Sequence, residues 1–65
     1  MTNLDAIVLR YITQHPSTRR KTVVEAIGDR DWNAQKRVRQ TLDSLVMRRI
    51  IVPSATKPTR YTLAQ

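Results

Sequence analysis

The stretch from residue 38 to residue 51 reads VRQTLDSLVMRRII and places Val38, Leu42 and Leu45 at helical spacing. Side chains at positions i, i+4 and i+7 lie on one face of an α-helix, so the pattern predicts a helix with a single apolar stripe. The other side of that helix carries hydrogen-bonding groups and positive charge, at Asn33, Lys36, Arg37, Gln40 and Ser44, with Arg39 on its flank. The pattern is typical of a helix that docks on a nucleic acid.

The net charge supports the same interpretation. Twelve Lys and Arg stand against five Asp and Glu, a formal net charge of +7. Such an excess predicts an anionic partner. Nucleic acid is favoured because basic side chains release counterions from it, and a membrane surface is the main rival. Residues 33–65 hold seven of the basic residues and one acid, Asp43.

The composition also narrows the class of protein. Sixty-five residues predict one domain over 1–65. Without Cys and with a single His, the chain is expected to hold no disulfide, zinc or other cofactor. The sequence offers neither a nucleophile–base–acid arrangement nor a glycine-rich phosphate loop, so a non-enzyme is expected. No run reaches the ~20 apolar residues of a membrane span and no secretory signal is visible. These observations predict a cytoplasmic protein, associated with the nucleoid when bound, with no membrane partner.

The first third of the chain predicts one helix and a connection. The helix spans about 3–14, from a capping pattern at Thr2 and Asp5 to the break before Pro16. Its apolar residues recur at helical spacing, at Leu4, Ile7, Val8, Tyr11 and Ile12. Residues 17–21 are predicted as a polar connection.

Two further helices are predicted from capping patterns. Thr22 and Glu25 form a capping box that predicts a short helix over about 22–29, with apolar side chains inward at Val23, Val24 and Ile27. After a tight turn over 29–32, either Asp31 or Asn33 caps a third helix that runs to about Arg48.

The last segments predict a hairpin. Residues 50–52 form a strand that Pro53 ends, residues 54–58 a loop, and the alternating residues 59–63 a second strand. Since an isolated hairpin is unstable in water, it must pack on the helices, with Ile51, Tyr61 and Leu63 directed inward.

From Leu4 to Leu63, this order of elements resembles a winged helix-turn-helix domain of MarR-like bacterial regulators. The resemblance lies in the spacing Val38-x3-Leu42-x2-Leu45-x4-Ile50-Ile51, followed by a Pro-containing loop and Arg60-Tyr61-x-Leu63. Lys21-Thr22 and Asp31-Trp32-Asn33-Ala34 are similar to compact regulators of fimbrial operons. The resemblance implies an α+β fold of three helices followed by a two-stranded antiparallel β-hairpin wing.

Three positions depart from related patterns. Binders of left-handed duplexes carry Tyr where this chain has Asp43 and Asn where it has Arg39, so that recognition mode is not expected. The position before Ile50 is usually Gly, whereas here it is Arg49. Either Arg49 adopts the left-handed conformation at some cost or the helix ends differently.

The resemblance implies that the helix over 33–48 enters the major groove and that the 53–60 wing touches flanking backbone or the minor groove. Asn33 and Gln40 suit adenine, while Lys36 and Arg37 suit guanine or phosphate. Phosphate contacts are predicted beyond the helix, from Lys57, Arg60, Arg19, Arg20 and Lys21.

Two residues leave alternatives open. Asp43 repels phosphate unless it accepts from a cytosine amine or pairs with Arg39 or a neighbour of Met47. Trp32 is interpreted as a staple closing the turn over the core, with stacking on a base or sugar as the rival.

The resulting hypothesis is sequence-specific binding of double-stranded DNA by a small bacterial, plasmid or phage transcriptional regulator. The alternative is a protein-interaction module of the same fold that grips an acidic partner, such as polymerase or another regulator. RNA binding is a weaker hypothesis, because the sequence predicts no exposed aromatic platforms on which single-stranded bases could stack. A homodimer reading two half-sites remains open.

Overall fold

Three helices and three short strands make up residues 3–64, the part of the chain that this computed structural model describes. In chain order they are α1 (Asn3–Gln14), β1 (Thr18–Arg19), α2 (Arg20–Gly28), α3 (Trp32–Met47), β2 (Ile51–Pro53) and β3 (Arg60–Leu63). The architecture is α+β, with a small antiparallel sheet on a three-helix layer. The predicted cap Thr2 lies outside the described residues.

The sheet has three strands in the order β1-β3-β2. β2 and β3 form the predicted antiparallel hairpin, but the prediction of only two strands is wrong, because β1 adds a third. β1 falls within the predicted polar connection 17–21. Its Thr18 is buried and pairs with Tyr61, and its Arg19 pairs with Arg60. Two residues are too few for period-two alternation to be visible in the sequence. They cover the edge of β3 that a lone hairpin would expose.

The core takes side chains from all three helices and from β2 and β3. Its buried apolar members are Val8, Ile12, Val23, Val24, Val38, Leu42, Leu45, Ile51 and Tyr61. The stripe predicted for α3 is therefore confirmed. Leu63, predicted to point inward, is instead exposed at the end of β3. Ile7, part of the apolar pattern of α1, is also exposed and lines an open groove between α1, α2 and α3.

An ion pair joins α1 to the end of α3. Asp5 is buried, and its carboxylate accepts a hydrogen bond from Arg48 Nη2 at 2.9 Å. The two residues are 43 positions apart, so no local pattern in the sequence predicts the pair.

The capping box predicted at Thr22 and Glu25 is wrong, because α2 begins at Arg20. The backbone N–H of Arg20 donates to the carbonyl of Thr59 at 3.1 Å. The helix therefore starts directly from the sheet, and its N-cap Arg19 makes no side-chain capping bond.

α2 and α3 approach closely at Gly28. A Cβ built on Gly28 would lie 2.6 Å from Gln35 Cγ and 2.8 Å from Gln35 Cα. Gly is therefore needed here for the close contact of two helices rather than for a positive φ.

Asp31 caps α3, which settles one open alternative. Its carboxylate accepts from the backbone N–H groups of Asn33 and Ala34, at 2.9 and 3.3 Å. α3 consequently begins at Trp32, one residue before the predicted start.

The C-terminal end of α3 settles the other alternative. Arg49 has φ of 60°, in the left-handed region. Its N–H donates to the carbonyl of Val46, and the N–H of Ile50 donates to that of Leu45, both at 3.0 Å. This pair of bonds is the Schellman motif, formed here with Arg at the position that usually holds Gly.

Candidate nucleic-acid interface

The outer face of α3 is open over its whole length. Each helical residue turns by about 100°, so Lys36 and Gln40 point almost directly away from Val38. Both are exposed, as are Asn33 and Ser44, while Val38 is buried. The apolar side of α3 is thus anchored in the core, and the side chains predicted to read bases face outward.

The flank of α3 toward α2 forms an open groove of about 560 Å³. Its lining combines four cations from β1, α2 and α3 with one acid, Glu25, and with the end of the loop over 54–59; the cations and the loop residues are Arg19, Arg20, Lys21, Arg39, Pro58 and Thr59. Three chain segments therefore bring positive charge to one side of the helix, and Arg19, Lys21 and Arg39 lie together in this groove.

The opposite flank, toward α1, forms a second open groove of about 510 Å³. Arg37, Gln40, Ser44 and Arg48 line it. Arg37 and Arg39 are neighbours on either side of Val38, so they lie about 100° from it in opposite directions. The predicted site residues of α3 therefore form a band around its outer half rather than one compact patch.

Asp43, an acid on the outer face of α3, is held by Arg20. Arg20 Nη1 donates to Asp43 Oδ1 at 2.9 Å and to the phenol oxygen of Tyr61 at 2.8 Å. The bond to Asp43 raises the pKa of the Arg20 guanidinium above its ordinary value, against a smaller lowering by burial, and the bond to Tyr61 adds to the rise. Arg20 therefore stays charged and offsets Asp43.

The partners suggested for Asp43 by sequence, Arg39 or a neighbour of Met47, are accordingly wrong. Arg20 starts α2 and is 23 residues away from Asp43. One signal could have led to this pair: Asp43 is a single acid within a basic segment, and such an acid is stabilised by a cation from elsewhere in the fold.

The loop over 54–59 is closed by hydrogen bonds between its ends. The N–H of Ser54 donates to the carbonyl of Arg60 at 2.8 Å, and the N–H of Arg60 donates to Ser54 Oγ at 3.0 Å. Lys57 is exposed within the loop. The guanidinium of Arg60 donates to the carbonyl of Ser17 at 3.1 Å, so Arg60 also tethers the start of β1.

Lys21 lies 4.0 Å from Glu25 one helical turn onward. Both side chains are exposed, and pairs of this kind contribute little to stability because solvent screens them. The Lys21 ammonium is therefore available to another anion.

Trp32 does not close the turn over the core, so its predicted structural role is wrong, and so is the expectation that the chain exposes no aromatic side chain. It is 65% exposed, because the cap at Asp31 makes it the first helical residue, about 120° around α3 from Val38. The Lys36 ammonium lies 5.7 Å from the centroid of its ring, within the range of a cation–π contact. The sequence signal for this placement was its position directly after the capping Asp.

Comparison with protein families, with curated proteins and with solved structures found no match for this chain. None of the helices within residues 3–64 is long and apolar enough to cross a membrane.

Proposed function

We propose that this chain is a winged helix-turn-helix protein that binds double-stranded DNA in a sequence-specific manner, as a small transcriptional regulator. The observation that carries the proposal is the band of polar and cationic side chains around the outer half of α3. Lys36 and Gln40 lie at its centre, with Arg39 on one flank and Arg37 on the other.

The dimensions of α3 support docking in a major groove. An α-helix with its side chains is about 10–12 Å across, and the major groove of B-form DNA is about 12 Å wide. A helix seated there with Val38 toward the protein core directs Lys36 and Gln40 to the base edges. Arg37 and Arg39 then face the two phosphate walls of the groove.

The elements around α3 support the same orientation. Arg19 of β1 and Lys21 of α2 line the same groove as Arg39, and the loop over 54–59 ends in that groove. Their cations extend one flank toward the phosphate backbone, where Lys and Arg supply affinity without reading sequence. The element order and the hairpin loop also support the winged fold.

The test is electrophoretic mobility shift with a random duplex pool at low salt, followed by selection of bound fragments. The proposal predicts enrichment of a defined sequence, and weaker binding of that sequence by Lys36→Ala. Arg10→Ala is the matched control, because Arg10 is exposed on α1 and lies about 200° around that helix from the buried Val8. It removes the same charge outside the proposed interface.

Failure to shift any duplex would contradict DNA binding. Recovery of an acidic protein by this chain from nuclease-treated extract, together with that failure, would identify the protein-interaction alternative instead.

A further inference from the structure

We propose that Trp32 is a specificity-determining residue that packs its indole on the 5-methyl group of thymine. This inference rests on the proposed function and names a base that the interface selects. Trp side chains are usually buried in a core or at an interface, yet 65% of the surface of Trp32 is exposed. Asp31 supplies the cap of α3, so capping does not account for the indole.

The position of Trp32 aligns it with the proposed interface. Residues 32, 36 and 39 follow the spacing i, i+4, i+7, which places Trp32, Lys36 and Arg39 on one stripe of α3. The contact between the Trp32 ring and the Lys36 ammonium shows that the first two are neighbours. Trp32 is also the first residue of α3, and the N-terminal residues of a recognition helix are those that reach base edges.

The chemistry of the major groove then limits the base. Guanine, cytosine and adenine are distinguished there by hydrogen-bond donors and acceptors, whereas thymine also presents a methyl group. An indole entering the groove therefore buries more apolar area against thymine than against the other three bases. The adjacent Lys36 ammonium then binds a neighbouring guanine or phosphate.

The test compares two versions of the selected duplex, one with thymidine and one with deoxyuridine at every thymidine position, which removes only the methyl groups. Fluorescence anisotropy of the labelled duplex measures binding by the wild-type chain, Trp32→Ala and Val52→Ala. We expect the wild type to bind the deoxyuridine duplex about four-fold more weakly for each contacted methyl group. Trp32→Ala should bind both duplexes equally. Val52→Ala removes an exposed apolar side chain on β2 and should keep the wild-type ratio.

Tryptophan emission gives an independent reading, because Trp32 is the chain's single tryptophan. Addition of unlabelled thymidine duplex should change its intensity and emission maximum.

The thymine contact would be overturned if the wild type bound both duplexes equally, or if Trp32→Ala kept the wild-type ratio of thymidine to deoxyuridine binding. Either result would leave DNA binding itself in place. Absence of binding to every duplex would overturn the proposed function and this inference together.

Discussion

Arg37 and Arg39 lie on opposite flanks of α3, each about 100° around the helix from the buried Val38. Arg39 faces the groove toward α2, and Arg37 faces the groove toward α1. If α3 docks in a major groove, these two cations face different phosphate walls, so substitution of each one tests the proposed docking.

Base reading by the outer face is tested by Lys36→Ala and Gln40→Ala. Each should lower the discrimination between the selected sequence and a scrambled duplex by about 1–3 kcal/mol, the range of a good contact to a base edge. Competition binding measures this difference. If both variants discriminate as well as Arg10→Ala does, the assignment of this face is wrong.

The link from Arg20 to Asp43 should support stability. Arg20→Gln should lower the free energy of unfolding by about 1–2 kcal/mol, because it removes charge-assisted hydrogen bonds to Asp43 and Tyr61. Urea unfolding followed by circular dichroism measures the loss. A double-mutant cycle with Asp43→Asn separates the pair from the other contacts, and a coupling energy near zero would refute the link.

The same link predicts little dependence on pH from Arg20. A pKa raised in the folded state gives stability that is fully present below the unfolded value and lost only as pH rises through the folded one. The difference in stability between the wild type and Arg20→Gln should therefore not be lost as pH rises between neutrality and pH ~10, a range that lies below the ordinary pKa of arginine. Urea titrations at several pH values check this.

Gly28→Ala should destabilise the chain by about 1–3 kcal/mol, the range for overpacking a tight contact. The added methyl group would press on the backbone of Gln35, which cannot rotate away. Thermal unfolding of this variant is best compared with Glu25→Ala, an exposed substitution on the same helix. Equal melting temperatures for the two would show that α2 and α3 do not meet as closely as described.

Arg49→Gly should raise stability by about 1 kcal/mol, because Gly adopts the left-handed conformation without the crowding that Arg suffers there. Arg10→Gly, in the interior of α1, should change stability by a similar amount with the opposite sign. Chemical denaturation resolves both shifts. A destabilised Arg49→Gly would mean that the Arg49 side chain makes contacts that outweigh its backbone conformation.

Elements with a strong repeating pattern were predictable from sequence. The apolar stripe of α3 and the end of α1 before Pro16 follow from local spacing, which also narrowed the cap of α3 to Asp31 or Asn33. The exposure of Lys36 and Gln40 follows as well, because a helix that buries Val38 and Leu42 must turn those residues outward.

Features that depend on contacts between distant segments were not predictable. β1 becomes a strand only because β3 lies beside it. Asp43 pairs with Arg20, and Asp5 pairs with Arg48, although the partners are 23 and 43 residues apart in sequence. Trp32 illustrates a different limit, since its exposure depends on which of its two polar neighbours, Asp31 or Asn33, caps α3.

The most direct test of the central claim is the salt dependence of duplex binding. With about six phosphate contacts, the slope of log binding constant against log salt should be about −5, and loss of one contact should reduce its magnitude by about 0.9. Arg37→Ala and Arg39→Ala should each show this reduction, whereas Arg10→Ala should keep the wild-type slope. If Arg37→Ala and Arg39→Ala keep the wild-type slope, or if the wild-type slope is near zero, α3 does not lie between two phosphate walls.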